Sequence, residues 1–216
     1  MGKKTNMPYD PFKHPTGTLR SHRRSIRLRG YDYASAGAYF VTIVAQNREY
    51  LFGKIADEEM HVNDAGQMIL RWWEELAHKF PSVELDEYVA MPNHFHGIVV
   101  ITEDDVGANT PGADVGADLR VRPQPEKGAH AGAPQRDDAP QHKPALGEII
   151  QWFKTMTTNE YIRGVNEHGW QPFSGKLWQR NYYEHIIRSE RDLERIREYI
   201  AKNPSAWTTD TENRRE

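Results

Sequence analysis

The chain has 216 residues, of which 38% are hydrophobic and 11% aromatic, and it has no cysteine. This composition allows one sizeable core but not two, so we expect a single domain with appendages. The absence of cysteine excludes disulfides, thiolate metal sites and a cysteine nucleophile. No stretch approaches the roughly 20 apolar residues of a membrane span, and the N-terminus lacks an apolar signal region, which predicts a soluble, cytoplasmic protein without a membrane partner.

The net charge of -3 hides a strongly basic N-terminal arm, residues 1–30. Its only acid is Asp10, and its basic residues are Lys3, Lys4, Lys13, Arg20, Arg23, Arg24, Arg27 and Arg29. Such an arm can neutralise DNA phosphates, and it can equally be a solvated, disordered tail. The distribution of charge, more than its sum, therefore leaves a nucleic-acid partner open.

The first half of the remaining chain predicts a strand, a small hairpin and a helix. Residues 39–45 are β-branched and aromatic, which indicates a central strand, and residues 51–55 and 60–62 suggest an edge hairpin. Apolar residues then recur at helical spacing, with Asn63 or Asp64 able to cap the helix and Pro81 just beyond its end. These apolar positions are Ile69, Trp72, Trp73, Leu76 and Phe80.

Two further strands are predicted over residues 83–90 and 94–101, joined by a tight turn at Met91-Pro92-Asn93. Residues 103–144 then consist largely of Gly, Ala, Pro, Asp and Gln. Such a segment buries too little apolar surface to offset its ordering entropy, so we interpret it as a disordered insertion in a surface loop. Its role is not indicated by the sequence.

The last part of the chain predicts helix, strand and helix. The second helix has its apolar stripe at Leu146, Ile149, Ile150 and Phe153 and is expected to end near Gly164. A fourth strand is predicted over residues 177–187. Ser189 can cap a third helix, with apolar positions Leu193, Ile196 and Ile200, that ends near Asn203 and Pro204.

The predicted order of elements fits an α+β fold of the ferredoxin-like or RRM-like type. In this fold an antiparallel sheet has helices on one face, and here a C-terminal helix is added. We expect residues 31–102 and 145–208 to form one domain, interrupted by the insertion and followed by a C-terminal tail over residues 209–216.

His94 and His96 are two residues apart on a predicted strand and should therefore project from the same face, where two imidazoles could share one cation. Phe95, Ile98 and Val100 are expected to face elsewhere. Histidines at this spacing also arise by chance on exposed strands, so the pair alone only suggests a metal site. The preceding turn favours a position near the rim of the sheet, within reach of a substrate.

Tyr199 and Asn203 are four residues apart on the last predicted helix and are therefore neighbours on one of its faces. Tyr199 could equally be a tyrosine at the margin of the core, and Asn203 before a proline could simply end the helix. Together with the two imidazoles, the Asn203 amide oxygen would complete a three-ligand site for Mg²⁺ or Mn²⁺. A cation there would make a tyrosine phenol, whose ordinary pKa is about 10, a plausible nucleophile towards a phosphate.

Several motifs, taken in order, resemble those of the REP-associated tyrosine transposases, which are relatives of the single-strand insertion-sequence transposases within the HUH endonucleases. The motifs are Gly30-Tyr31-Asp32-Tyr33, Gly37-Ala38-Tyr39-Phe40-Val41-Thr42, Met91-Pro92-Asn93-His94-Phe95-His96-Gly97, Leu177-Trp178-Gln179-Arg180 and Tyr199-Ile200-Ala201-Lys202-Asn203-Pro204. The resemblance covers most of the chain outside the insertion.

This resemblance implies a bacterial, nucleoid-associated transposase that cuts and rejoins single-stranded hairpin DNA. It implies that His94 and His96 hold a divalent metal, that Tyr199 forms a 5′-phosphotyrosine while a 3′-hydroxyl is released, and that Asn203 is the third ligand, where the insertion-sequence relatives usually have Gln. The family's substrates are imperfect hairpins of repetitive extragenic palindromes with a short guide tetranucleotide. DNA contacts are expected from Arg180 and from the arm residues Arg20, Arg23, Arg24, Arg27 and Arg29.

Other interpretations of these residues stay open at this stage. Tyr182 and Tyr183 are alternative nucleophiles, and Glu184 and His185 could assist proton transfer. Trp72, Trp73 and Trp178 could stack on bases, although Trp72 and Trp73 are better explained as core. The chain could also be a hairpin-binding protein without activity, or a metal-dependent phosphoesterase that activates water. Whether it is a monomer or a homodimer is not indicated.

Overall fold

The computed structural model describes residues 30–103 and 143–213. The basic arm up to Arg29, residues 104–142 of the predicted insertion and the last three residues lie outside this range, so the predictions for them stay predictions. Within the described ranges, no helix combines the length and the apolarity needed to cross a membrane.

The centre of the fold is a four-stranded antiparallel sheet. It is formed by β1 (Gly37–Val44), β4 (Val83–Ala90), β5 (His94–Ile101) and β6 (Tyr183–Ile187), in the order β4-β5-β1-β6. Between β1 and β4 the strands β2 (Gly53–Ala56) and β3 (Glu59–Val62) form a separate hairpin. The sheet order and the alternation with helices confirm the predicted ferredoxin-like α+β fold.

Within residues 30–103 and 143–213, three α-helices accompany the sheet: α1 (Asp64–Lys79), α2 (Leu146–His168) and α3 (Glu190–Lys202). Asn63 caps α1 by accepting a hydrogen bond from Gly66 N at 2.9 Å, and Ser189 caps α3 by accepting one from Asp192 N at 3.2 Å. The predicted end of α2 at Gly164 is wrong: the helix continues to His168, and Gly169 ends it in the left-handed conformation. The Trp170 ring packs where a Cβ at position 164 would lie, so this helical position requires a glycine.

The main core lies between one face of the sheet and the pair α1 and α2. Tyr39, Val41, Phe95 and Val99 point into it from β1 and β5, and Trp73 meets them from α1 with no exposed surface. Trp178 is also almost completely buried, whereas Trp72 is half-buried and donates through Nε1 to Glu160 at 2.6 Å. The core explanation of Trp72 and Trp73 is therefore confirmed.

The opposite face of the sheet is covered by α3. Ile196 and Ile200 of α3 pack against Phe40 of β1 and Ile98 of β5 in a second, smaller cluster. The expectation that Ile98 and Val100 face away from the histidines is wrong, because side chains two residues apart on a strand share a face, and both residues belong to this second cluster. This second face is the one on which the histidines lie.

The predicted strand over residues 177–187 is shorter in the structure, since β6 comprises only its last five residues. Before β6, Trp178 makes an isolated antiparallel bridge to Ala45, and Gln179 N donates to Val44 O at 2.9 Å. The Lys154 ammonium then donates hydrogen bonds to the carbonyl oxygens of Gln179, Arg180 and Asn181, at 2.9, 3.3 and 3.4 Å. These carbonyls point to α2, so they cannot continue the ladder with β1.

Candidate metal and nucleophile site

His94 and His96 open β5, next to β1 in the middle of the sheet, and both side chains are completely buried. Their Nε2 atoms are 3.0 Å apart. Neutral imidazoles can approach this closely only when a proton or a cation lies between their lone pairs. Because the two histidines are two residues apart on one strand, their Nε2 atoms converge and could serve together as metal ligands.

The outer nitrogen of each imidazole has its own partner. Nδ1 of His94 lies 2.8 Å from Oδ1 of Asn93, and Nδ1 of His96 lies 2.9 Å from Oγ1 of Thr42, the residue opposite His96 on β1. Asn93 Nδ2 donates to two backbone carbonyls, so its Oδ1 accepts the proton of His94 Nδ1. Such partners fix the tautomer and orientation of metal-binding histidines, and they leave Nε2 of His94 with its lone pair.

Burial keeps both histidines neutral. It lowers the pKa of His94 to about 4; the positive charge of Arg48 acts in the same direction, whereas Glu212 and Asn203 raise it. Burial and the neighbouring His94 lower the pKa of His96 well below its ordinary value. Since only the neutral imidazole can bind a metal, both side chains have the protonation state that a metal site requires at neutral pH.

Tyr199 reaches the same point from α3. Its hydroxyl lies 3.4 Å from Nε2 of His96, and the two rings meet edge to face with centroids 5.3 Å apart. Phe40 contacts both residues: it stacks on His96 at 5.4 Å and meets Tyr199 edge to face at 6.0 Å. The tyrosine is thus at the margin of the second core cluster and beside the histidine pair at once.

Two polar contacts hold α3 across the sheet. Arg197 donates through Nε and Nη2 to the two carboxylate oxygens of Asp86, at 2.8 and 2.6 Å, where β4 has a bulge between Leu85 and Tyr88. On the other side, His185 of β6 lies 2.8 Å from the carboxylate of Asp192. A bidentate arginine–carboxylate pair fixes geometry as well as distance, so it orients the helix that bears Tyr199.

Asn203 follows α3 as its C-cap and is buried, with 2% of its surface exposed. Its Oδ1 is buried and makes no hydrogen bond of normal geometry with any residue that the structure describes, although its side chain is close enough to His94 to raise the pKa of that imidazole. A buried amide oxygen without a partner is costly, and a cation at the histidine pair would satisfy it. The donor set therefore fits a divalent metal.

The C-terminal segment, residues 204–213, closes over the histidines from the outside. Trp207 stacks on His94 with ring centroids 5.9 Å apart, and Asp210 Oδ2 lies 3.8 Å from His94 Nε2. Among the residues that the structure describes, His94, His96 and Asp210 form a group whose potential ligand atoms lie within 4.8 Å of one another. Asp210 is thus a further potential metal ligand.

The structure brings His94, His96, Tyr199 and Asn203 together, as expected from the sequence. Arg180 was predicted to contact DNA. It is exposed in the turn before β6, where its carbonyl accepts from Lys154. The alternative residues have other contacts: Tyr182 lies under the Lys154 ammonium, Tyr183 packs edge to face on Phe40, and His185 is paired with Asp192.

Thr42, Trp207 and Asp210 were not predicted as site residues from the sequence. Thr42 could have been recognised only from the register of β1 against β5, which a single sequence does not contain. Trp207 and Asp210 belong to short 3-10 turns, Trp207–Thr209 and Thr211–Asn213 with Asp210 between them, which give no periodic signal.

No protein-family model matches the chain. The fold is similar to the solved structure of a REP-associated tyrosine transposase bound to a REP hairpin, with a TM-score of 0.46 and 17% identity over 82% of this chain and 72% of that one. It is also similar to a candidate transposase of Deinococcus radiodurans, with a TM-score of 0.40 and 15% identity over 81% of this chain and 95% of that one.

A sequence relative is much more similar. An uncharacterized protein of Haemophilus influenzae is 40% identical over 190 residues, which cover 88% of this chain and 92% of that protein. Identity at this level over nearly the whole length shows common descent and a common fold. The chain therefore belongs to the same protein family as the Haemophilus influenzae protein.

Proposed function

We propose that the chain is a metal-dependent endonuclease and strand transferase for single-stranded hairpin DNA, with Tyr199 as its nucleophile. The observation that carries this proposal is the 3.4 Å approach of the Tyr199 hydroxyl to a buried pair of neutral imidazoles. The motif resemblance to REP-associated tyrosine transposases supports the same activity, and it suggests hairpins of the repetitive extragenic palindrome type as substrates.

His94, His96 and the Asn203 amide oxygen would hold the cation, with Asp210 as a further donor from the C-terminal segment. A divalent Mg²⁺ or Mn²⁺ ion bound there would polarise the scissile phosphate and stabilise charge on the departing 3′ oxygen. Imidazole ligands favour Mn²⁺ over Mg²⁺, and the oxygen ligands suit both. Asn93 and Thr42 orient the imidazoles from behind.

Tyr199 would attack the phosphorus of the scissile linkage through its phenolic oxygen. The new bond joins this oxygen to the 5′-phosphate, the bond between phosphorus and the 3′ oxygen breaks, the phenol loses its proton and the 3′ oxygen gains one. The energy of the phosphodiester is retained in the phosphotyrosine, so a 3′-hydroxyl can later reverse the step and rejoin a strand. The anchors of α3 at Asp86 and Asp192 keep Tyr199 in place for both directions.

Arg180 and the basic arm are proposed to contact the DNA backbone. Arg180 is exposed before β6, and the arm residues Arg20, Arg23, Arg24, Arg27 and Arg29 precede the described domain, so cationic side chains are available on both parts of the chain. Contacts of this kind neutralise phosphates without reading the sequence. We infer that they strengthen hairpin binding while the site itself performs the cut.

The decisive experiment incubates the full chain with labelled single-stranded hairpin DNA and Mn²⁺ and looks for a protein–DNA adduct that survives denaturation. We expect the adduct, with a matching free 3′-hydroxyl product. Hairpin binding without cleavage would instead indicate a DNA-binding protein without activity. Cleavage without an adduct would indicate a phosphoesterase that activates water. Either result would overturn the proposal.

A further inference from the structure

Arg48 has an unusual backbone beside the site. It ends the short turn Gln46–Arg48 after β1, and both Asn47 and Arg48 have positive φ angles, 57° and 52°. Side chains other than glycine rarely adopt this conformation, which persists only where the surroundings hold it. Two such residues in succession therefore indicate that the position of Arg48 is determined by its contacts.

Those contacts lead directly to a histidine of the site. Asn93 donates through Nδ2 to the Arg48 carbonyl at 3.2 Å, and the same side chain accepts from His94 Nδ1 at 2.8 Å through its Oδ1. The charge of the guanidinium also reaches His94, since it lowers the pKa of that imidazole. Arg48 is thus a cation fixed next to the proposed reaction centre.

The guanidinium has an oxyanion partner. Its Nε donates to Oε2 of Glu212, a residue of the C-terminal segment, at 3.0 Å, and the side chains keep 28% and 15% of their surface exposed. A guanidinium binds a phosphate with the same geometry as a carboxylate. A DNA phosphate could therefore take the place of this carboxylate on Arg48.

We propose that Arg48 binds a backbone phosphate of the DNA strand next to the linkage that Tyr199 attacks, and that the Glu212 carboxylate marks the place of this phosphate. The inference rests on the proposed function. Arg48 then acts as a substrate-positioning residue, which holds the strand across the histidine pair, and Glu212 competes with DNA for it.

A purely structural ion pair makes a different prediction. If Arg48 and Glu212 only held the C-terminal segment in place, removal of either partner would have the same consequence for the site. If Arg48 binds DNA in place of Glu212, the two substitutions act in opposite directions. Glu212→Gln removes the carboxylate that competes with DNA, whereas Arg48→Gln removes the guanidinium that would bind it.

The test compares Arg48→Gln and Glu212→Gln with the unchanged chain, using a labelled single-stranded hairpin oligonucleotide and Mn²⁺. Arg71→Gln is the matched control, because Arg71 also pairs with one glutamate, Glu160, but joins α1 to α2 behind the sheet. We expect Arg48→Gln to slow adduct formation at least about tenfold and Glu212→Gln to raise the rate or the affinity. The control should leave both unchanged.

Salt dependence of binding gives a readout that does not need the reaction. Loss of one phosphate contact in Arg48→Gln should make the slope of log K, the hairpin-binding constant, against log salt concentration less steep by about 0.7. Glu212→Gln and Arg71→Gln should leave this slope unchanged. Equal effects of Arg48→Gln and Glu212→Gln, or an unchanged slope in Arg48→Gln, would overturn the inference. An unchanged chain that forms no adduct would overturn the proposed function instead, and the slope would still decide the role of Arg48.

Discussion

The Tyr199 hydroxyl lies 3.4 Å from His96 Nε2, although the two residues are 103 positions apart in the chain. Strand β5 supplies the histidine, α3 supplies the tyrosine, and Phe40 of β1 packs against both. Three elements from distant parts of the sequence therefore build one short contact. This contact is the basis of the first prediction.

Tyr199→Phe should abolish the denaturation-resistant adduct and spare hairpin binding. The change removes only the nucleophilic oxygen, and the ring that packs on Phe40 stays. Tyr183→Phe is the matched control, since Tyr183 also meets Phe40 edge to face and should not be needed for the adduct. Adduct formation is measured on denaturing gels and hairpin affinity by titration; an adduct that survives in Tyr199→Phe would contradict the assignment.

Asn203 and Asp210 make different predictions for metal binding. We expect Asn203→Ala to weaken Mn²⁺ binding by about ten- to a hundredfold, because it removes a ligand, and Asp210→Asn to weaken it less, because an amide oxygen can still serve. Binding is measured by titrating Mn²⁺ and following the unfolding temperature. The rise in this temperature increases with the ratio of the Mn²⁺ concentration to the dissociation constant.

Asn203→Asp serves as the control for the Asn203 substitution. It keeps the size of the side chain and its oxygen ligand, so it should retain Mn²⁺ binding where Asn203→Ala loses it. If Asp210→Asn proves the more damaging of the two ligand substitutions, the third ligand comes from the C-terminal segment and not from α3.

Acid should destabilise the metal-free protein through the buried histidines. Burial lowers the pKa of His94 to about 4 in the folded chain, against 6.5 as its ordinary value. Between these two values the unfolded chain holds a proton that the folded chain lacks, so stability falls as pH falls. For His94 alone the free energy of unfolding should drop by about 2 kcal/mol between pH 7 and pH 5.

Urea denaturation at several pH values, in the presence of a chelator, measures this dependence. His94→Gln should remove part of the slope, since glutamine does not titrate. If the free energy of unfolding changes with pH equally in the unchanged chain and in His94→Gln, this imidazole does not titrate as its burial predicts.

Deletion of residues 1–30 should weaken hairpin binding and flatten its salt dependence if the arm meets phosphates. Each lost contact with single-stranded DNA reduces the slope of log K against log salt by about 0.7. The measurement is a titration at several salt concentrations, with adduct formation by the shortened chain as the control for an intact site. An unchanged slope would show that the arm is a solvated tail.

Gly97 follows the histidine pair and should tolerate no side chain. A Cβ at this position would lie 2.4 Å from the Trp73 ring and 2.9 Å from the Phe95 ring. We therefore expect Gly97→Ala to lower the free energy of unfolding by about 1–3 kcal/mol, which urea denaturation measures. In the double variant with Trp73→Phe the two costs should be less than additive, because the clashing part of the indole is gone; full additivity would contradict the steric explanation.

The element pattern could be predicted from the sequence because it depends on local periodicity. The bounds of β4 and β5 match the predicted residues 83–90 and 94–101, and both Asn63 and Ser189 cap helices as expected. Local pattern was misleading where a residue served packing between elements. Gly164 was predicted to end α2, but it makes room for the Trp170 ring inside the helix, and the carbonyl of Gln179 before β6 accepts a hydrogen bond from Lys154 of α2.

The sequence by itself determined the residue types of the candidate site and their local spacing: two histidines on one strand face, and a tyrosine and an asparagine one helical turn apart. Only the tertiary structure decided that these pairs meet, that Thr42 and Asn93 orient the imidazoles, and that Asp210, Trp207 and Arg48 surround them. Periodicity fixes which side chains share a face of one element. Strand register and the path of the C-terminal segment depend on packing between elements that are far apart in the chain, and no local pattern records it.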